Sequence, residues 1–471
     1  MASKVLGLAY FKESYPGSGA YGVVPAGIDA AGFAQMMRLV DDSIDTDLSR
    51  QESNEIRSDA QSSGSIVTDA KAGGSFNLQW SLQTYDDLLP GLLYAADDAG
   101  TARNDGWRAG GFTPAAATPL ASAGSLTWNF ATNKFTATFT RAPLVGEKVF
   151  VTGFGNKNLD TIWEVASSPA PSTTEFTPVN DTGATDVSTY AGVTANVTTT
   201  TGKVVDAQGY ARNGTAERSY GLVKFFSDSS LAGTTSSSGL TTVDWSVFRG
   251  QIPATLQLAA APGQAGFTGS MTFKGKDEVL ISNATVATQG YVVSDWNRFL
   301  APTTVALVNT LQNVVMVRLK KITGAAPVAA DYTRVDPLSL SLNLNNNGTE
   351  IGALRNLGAI AIQQGTFSAT IALSLLYIDS RYHAAMLAGQ AYEVELGLAD
   401  SAGNCQLWRF PKCQLTSKRP NPGKNKPVET PLSFVAEAGG SGLEAAANSL
   451  TQSSLDTAGK MVEVVRFYVL T

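Results

Sequence analysis

Residues 73–94 read GGSFNLQWSLQTYDDLLPGLLY, and residues 364–389 read QGTFSATIALSLLYIDSRYHAAMLAG. Each opens on Gly-Ser/Thr-Phe, alternates apolar with polar residues, and then changes to helical spacing. In the first, Phe76, Leu78, Trp80 and Leu82 share one face of an extended chain. Tyr85, Leu88, Leu89, Leu92 and Leu93 then recur at i, i+3, i+4, i+7 and i+8, with Thr84 placed to cap and Asp87 three residues on. In the second, Ile371 and Leu373 take the places of Trp80 and Leu82, and Tyr382, Ala385, Met386 and Gly389 share a helical face. Upstream, SNEIR (53–57) parallels GTEIG (348–352). Period, order and helix agree, so the reading is an internal duplication.

Period two dominates elsewhere. LTWNFATNKFTATFT (126–140) holds two runs around a turn at Thr132, Asn133 and Lys134. GFTGSMTF (266–273), LSLSLNL (338–344), YEVELGL (392–398) and MVEVVRFYVL (461–470) alternate in the same way. These are half-buried antiparallel strands, punctuated by Gly, Ser, Thr and Asn. A third, weaker helical stretch is DWNRFLAP, near Asp295. The class is mainly β with a few short helices. Linker-like composition marks AAATPLASAGS (115–125) and the Gly/Ser/Ala-rich stretch 438–460.

The chain has 471 residues, enough for two to four domains and a large core. Its net charge of −6 argues against a surface that grips nucleic acid but not against one that nucleic acid slides past. Two cysteines and one histidine exclude a disulfide framework and the usual Cys/His zinc site within one chain. No uncharged apolar run approaches the length of a membrane span, and none near residue 1 suits a signal peptide. Synthesis and folding in a cytoplasm are therefore expected.

Sites of chemistry are scarce. GSGAYG (17–22) matches G-x-G-x-x-G, but Val23, Val24 and Pro25 follow where a helix would have to start, so it reads as a loop. His383 has no nucleophile elbow to serve. Cys405 and Cys413, with Pro411 between them on an extended chain, lie too far apart to bridge and read as free thiols. Trp128, Trp163, Trp245 and Trp408 read as core anchors. Asp86 and Asp87 are adjacent and cannot face one another across a glycosidase cleft. Two charged segments remain. Asp41, Asp42, Asp45, Asp47 and Glu52 form an acidic stretch without the turn and ligand spacing of a calcium loop, and it reads as a solvated acidic loop or interface. Lys418, Arg419, Lys424 and Lys426 gather around prolines, as an exposed turn or as the partner of an acidic patch on a neighbour. The chain reads as a non-enzyme with no cofactor and no metal.

Several stretches together resemble the tail tube (major tail) proteins of long-tailed bacteriophages. They are KESYPGSGAYGVVPAG (12–27), RQESNEIRSDAQ (50–61) with GGSFNLQWSLQTYDDLLPGLL (73–93), residues 340–373 around the Asn-rich turn, and SKRPNPGKNKPVETPLSFVA (417–436). Residues 145–179 resemble a small β insert found in some members. The resemblance implies a virion structural protein, assembled in the host cytoplasm, whose rings stack into a tail tube through which DNA passes without specific binding. Its partners would be further copies of itself and other tail proteins at the tube ends, with no membrane. The fold expected is two tandem tail-tube-type β-sandwich/barrel modules, each with a short flanking helix. Module 1 would span residues 1–114 and 206–300, module 2 residues 301–471, and a small β domain would be inserted at 115–205. Two modules per chain favour a trimer with pseudo-six-fold symmetry over a hexamer. The acidic and basic segments are candidate ring-to-ring contacts. The alternative is a virion-decorating or surface carbohydrate-binding β-sandwich protein.

Overall fold

The computed structural model describes residues 4–13, 34–52, 64–95, 120–121, 124–182, 184, 186–207, 209–228, 245–264, 266–281, 307–309, 312–323, 328–377, 380–417, 428–438 and 460–468. It is mainly β, and the named strand ladders are antiparallel. The alternation read from the sequence appears as Ser65–Gln79, Thr268–Gly275, Ser339–Asn345, Ala391–Ala399 and Glu463–Phe467.

One order of pairing occurs twice. In the first half, Gln35–Met36 lies beside Lys4–Lys12, which lies beside Tyr220–Asp228 and then Trp245–Ala260. Thr268–Gly275 follows, then Ser65–Gln79, then the edge formed by Asp41–Asp42 and Asp45–Glu52. In the second half, Tyr332–Arg334, Val314–Lys321, Ala391–Ala399, Cys405–Ser417, Glu429–Ala436, Ser368–Leu376 and Ser339–Asn345 stand in the same succession. Each long strand bends where it carries a proline, Pro253 or Pro411, beside a register shift. Proline cannot donate to the ladder, so the strand can change neighbours there. Before the bend the two strands also pair with Asp277–Ile281 and Glu463–Phe467 respectively. At that place Arg249 faces Asp277 and Arg409 faces Glu463, each pair bonded as ions.

The two Gly-x-Phe triplets do not occupy the same place in their strands. Gly74 and Phe76 sit inside Ser65–Gln79, whereas Gly365 and Phe367 precede Ser368–Leu376. The strand ends match better: Tyr85 and Tyr382 each stand six residues past Gln79 and Leu376. The shared Gly-x-Phe triplet is therefore displaced between the halves by six residues, an even number that leaves the buried face unchanged.

The first helix is shorter than its periodicity suggests. It spans only Leu89–Leu93, with Pro90 in its first turn and Leu88 at the N-cap position. The cap position lies four residues beyond Thr84 and makes no side-chain cap bond; the Thr84 hydroxyl bonds that of Ser81 at 2.6 Å. The second helix spans Arg381–Leu387 and lays Tyr382, Ala385 and Met386 on the main core. DWNRFLAP lies outside the described residues.

Residues 120–206 add two small sheets with a core of their own, built on Leu126, Trp128, Phe135, Val149, Trp163 and Phe176. Phe150, Ile162 and Val205 turn the other way and pack on Met316, Cys405, Leu407, Val465 and Phe467 of the main body. Cys405 and Cys413 are free and buried on one strand. Trp128, Trp163 and Trp408 are fully buried, as core anchors should be. The side chain of Trp245 lies outside the described ones.

Candidate assembly surface

Pairing across the two halves builds one continuous sheet. Its order is the edge of residues 41–52, then Ser65–Gln79, Thr268–Gly275, Trp245–Ala260, Ser339–Asn345, Ser368–Leu376, Glu429–Ala436 and the end of Cys405–Ser417. The halves join where Thr255–Ala260 meets Leu340–Asn345.

Directly paired residues share a face, so the ladders sort the side chains into rows. Leu78, Gly269, Leu258, Leu342, Ile371, Phe434 and Leu415 form one row, its large side chains buried in the core. On the opposite face Asn77, Ser270, Gln257, Asn343 and Thr370 form another. Gln79, Thr268, Ala259, Ser341, Ala372, Ser433 and Thr416 form its neighbour, and Ser75, Thr272, Thr255, Asn345 and Ser368 a third. As far as Asn77 on one side and Thr370 on the other, these rows hold Ser, Thr, Asn, Gln and Ala and no charge; beyond them the first row runs on to Asp41 at the acidic edge and to exposed Val435. These rows are wet enough to stand in water and carry no cation to grip a phosphate; the cation farther along the same face of Ser65–Gln79, Lys71, lies opposite Asp47.

A second feature locks the small sheets to this body. Asp181, buried, accepts from Arg318 at 2.6 Å and from Arg334 at 2.8 Å. Arg318 also reaches Glu395 at 2.6 Å, and Lys148 reaches Glu395 at 2.8 Å. Arg409 bridges Glu393 and Glu463, and Arg212 closes the chain of charges on Glu463. Arg334 lies over the ring of Trp163. Burial opposes the charge of Asp181, yet Arg334 and Arg318 hold its carboxyl below the ordinary range. Burial likewise opposes Glu463, but Arg212 and Arg409 bring it down to about 2. Glu393 is buried too, and Arg409 and Lys320 hold it well below the usual range. Among the described residues no cluster of His, Cys, Asp and Glu could hold a metal ion.

Residues 4–436 match the family model described as phage tail tube protein. The chain belongs to that family. No curated protein matches it. Tail tube proteins are structural rather than catalytic, and membership makes this chain a component of a virion tail.

In this tail tube protein the acidic stretch is a sheet edge rather than a loop. Asp41–Asp42 and Asp45–Glu52 pair along Ser65–Gln79. Asp41 is exposed and accepts from Asn77 at 2.5 Å. Asp42 turns inward to Lys224 at 2.7 Å. Asp45, Asp47 and Glu52 are exposed. Lys418, Arg419, Lys424 and Lys426 lie outside the described residues. GSGAYG also lies outside them. The ion network went unread in the sequence because its members lie far apart in the chain, and only alternation such as that of Arg318 and Lys320 hints at it.

Proposed function

We propose that three copies of this tail tube protein close into a ring with pseudo-six-fold symmetry. Such rings stack into the tube that passes DNA, and the uncharged polar face lines the lumen. The observation that carries this is the eight-strand sheet running through both halves, apolar behind and Ser/Thr/Asn/Gln in front. A sheet of that length with two unpaired edges is an aggregation hazard unless a neighbour completes it, and closure into a barrel abolishes the edges. Two modules related by duplication make each chain a third of a six-module ring, with residues 120–206 standing as an insert on the first. Three chains of eight strands bring 24 strands. At a spacing of ~4.8 Å their circumference is about 115 Å before tilt. Strand tilt widens it, to a wall roughly 45–50 Å across. Six chains would double that.

Averaged electron micrographs of the purified protein test this reading. Stacked rings with six pseudo-equivalent lobes, three inserts and a wall of that width are expected. A monomer at all concentrations, or rings with six inserts, would overturn it.

A further inference from the structure

The joint inside the chain shows what the joint between chains should be. Thr255 lies opposite Asn345. Thr255 pairs on its other side with Thr272, and Thr272 with Ser75. Asn345 pairs on its other side with Ser368. With the strand ends Gln79 and Leu376 matched, Ser75 corresponds to Ala372 and Ser368 to Lys71. Ala372 pairs with Ser433, and Ser433 with Thr416. Lys71 pairs with Asp47. Thr416 therefore stands in the second half where Thr255 stands in the first, and Asp47 stands in the first half where Asn345 stands in the second.

We propose that neighbouring copies join by the same ladder, residues 46–48 of one copy lying antiparallel on residues 415–417 of the next, with Asp47 opposite Thr416 and Thr46 opposite Ser417. The inference rests on the ring reading and names its contact.

Among the described residues neither edge has a strand on its outer side. The side chains agree in face. Asp41, Ser43, Asp45 and Asp47 are exposed while Ile44 is buried, as Ser339, Ser341 and Asn343 are exposed while Leu342 is buried. Thr416 stands off the core beside buried Leu415, as Thr255 does between buried Ala254 and Leu256. Charge fixes which edge meets which. Two acidic edges set against each other would place like charges face to face, which destabilises a ladder. The acidic edge must therefore meet the neutral Thr416–Ser417 edge of another copy. That contact is heterologous, the kind that generates a ring when the rotation between copies closes.

Cysteines directly opposite on antiparallel strands fall within disulfide reach. The test is the full-length double variant Asp47→Cys with Thr416→Cys, oxidised or treated with a short bis-maleimide, on a non-reducing gel. A ladder ending at three chains is expected, with each single variant staying at monomer mass. Asp47→Cys with Ser417→Cys puts the thiols on opposite faces and should cross-link several-fold less. The same samples are imaged. Rings without cross-linked chains overturn this joint and leave the tube reading standing. Monomers without rings overturn the tube reading itself. Equal cross-linking by both double variants overturns the register.

Discussion

At the scale of the residue, the buried charges make the sharpest predictions. Asp181 is shared by Arg318 and Arg334. Asp181→Ala would leave both guanidinium groups short of a partner in the interior, and breaking a buried pair costs about 3–5 kcal/mol. Trp163, under Arg334, should report the loss as a fluorescence change at lower denaturant than wild type. An unchanged midpoint would mean the network adds nothing to stability. The same carboxylates set an acid limit. Asp181, Glu393 and Glu463 all have folded-state values depressed below the ordinary ones, Glu463 to about 2. Depressed carboxyls contribute stability that is full above the unfolded value, near 4 for Asp and Glu, and that is lost as pH falls through the folded value. The melting temperature should thus drop steeply from about pH 5 towards pH 2. Asp86 works in the other sense. Burial pushes its carboxyl up to about 6 despite Arg466, so its protonated form is favoured and stability declines as pH rises through that value. Asp86→Asn should flatten the melting curve between about pH 4 and 6 and leave the acid limb in place.

At the scale of the element, alternation was the legible signal. Phe76, Leu78, Leu340, Leu342, Ile371 and Leu373 are all buried, as period two requires. The first helix shows where local rules stop. Thr84 and the apolar spacing promise a helix from residue 85, but Pro90 has no N–H to give to the preceding turn, and the regular helix closes only at Leu89. The acidic stretch shows the converse. Its charges suggest a loop, but Gly74, with φ of 140°, lets it run as a strand along Ser65–Gln79. A Cβ at Gly74 would strike the backbone of Ser43 and Ile44, and only glycine takes that φ without strain. Gly74→Val should cost at least about 1–3 kcal/mol and loosen the edge of residues 41–47, seen as faster amide exchange at Ser43 and Ile44. Exchange as slow as in the wild type would show that the edge does not depend on this glycine. The edges themselves were not legible, since which strand ends a sheet follows from the order of pairing and not from any single strand's pattern.

At the scale of the whole molecule, a repeated strand and helix were visible in the sequence and an order of strand pairing recurs in the structure, but the register between the two halves was not legible. A two-fold strand period tolerates a six-residue slip without moving a buried side chain, so the triplets Gly74–Phe76 and Gly365–Phe367 could match while their strands did not. What the three-dimensional order adds is the continuous polar face, and with it a test of the lumen. Under the ring reading Asn77, Gln257 and Asn343 stand in one row across the joint between the halves. Replacing all three by Lys would put nine positive charges around the inner wall of each three-chain ring. All three side chains face water, so the fold and the tube should persist, with a melting temperature close to wild type. Short duplex DNA that does not stay with wild-type tubes should then co-sediment with the variant at low salt and be released as salt rises, because each neutralised phosphate gives up a counterion. Tubes that assemble normally and still leave the DNA in solution at low salt would place this face away from the channel.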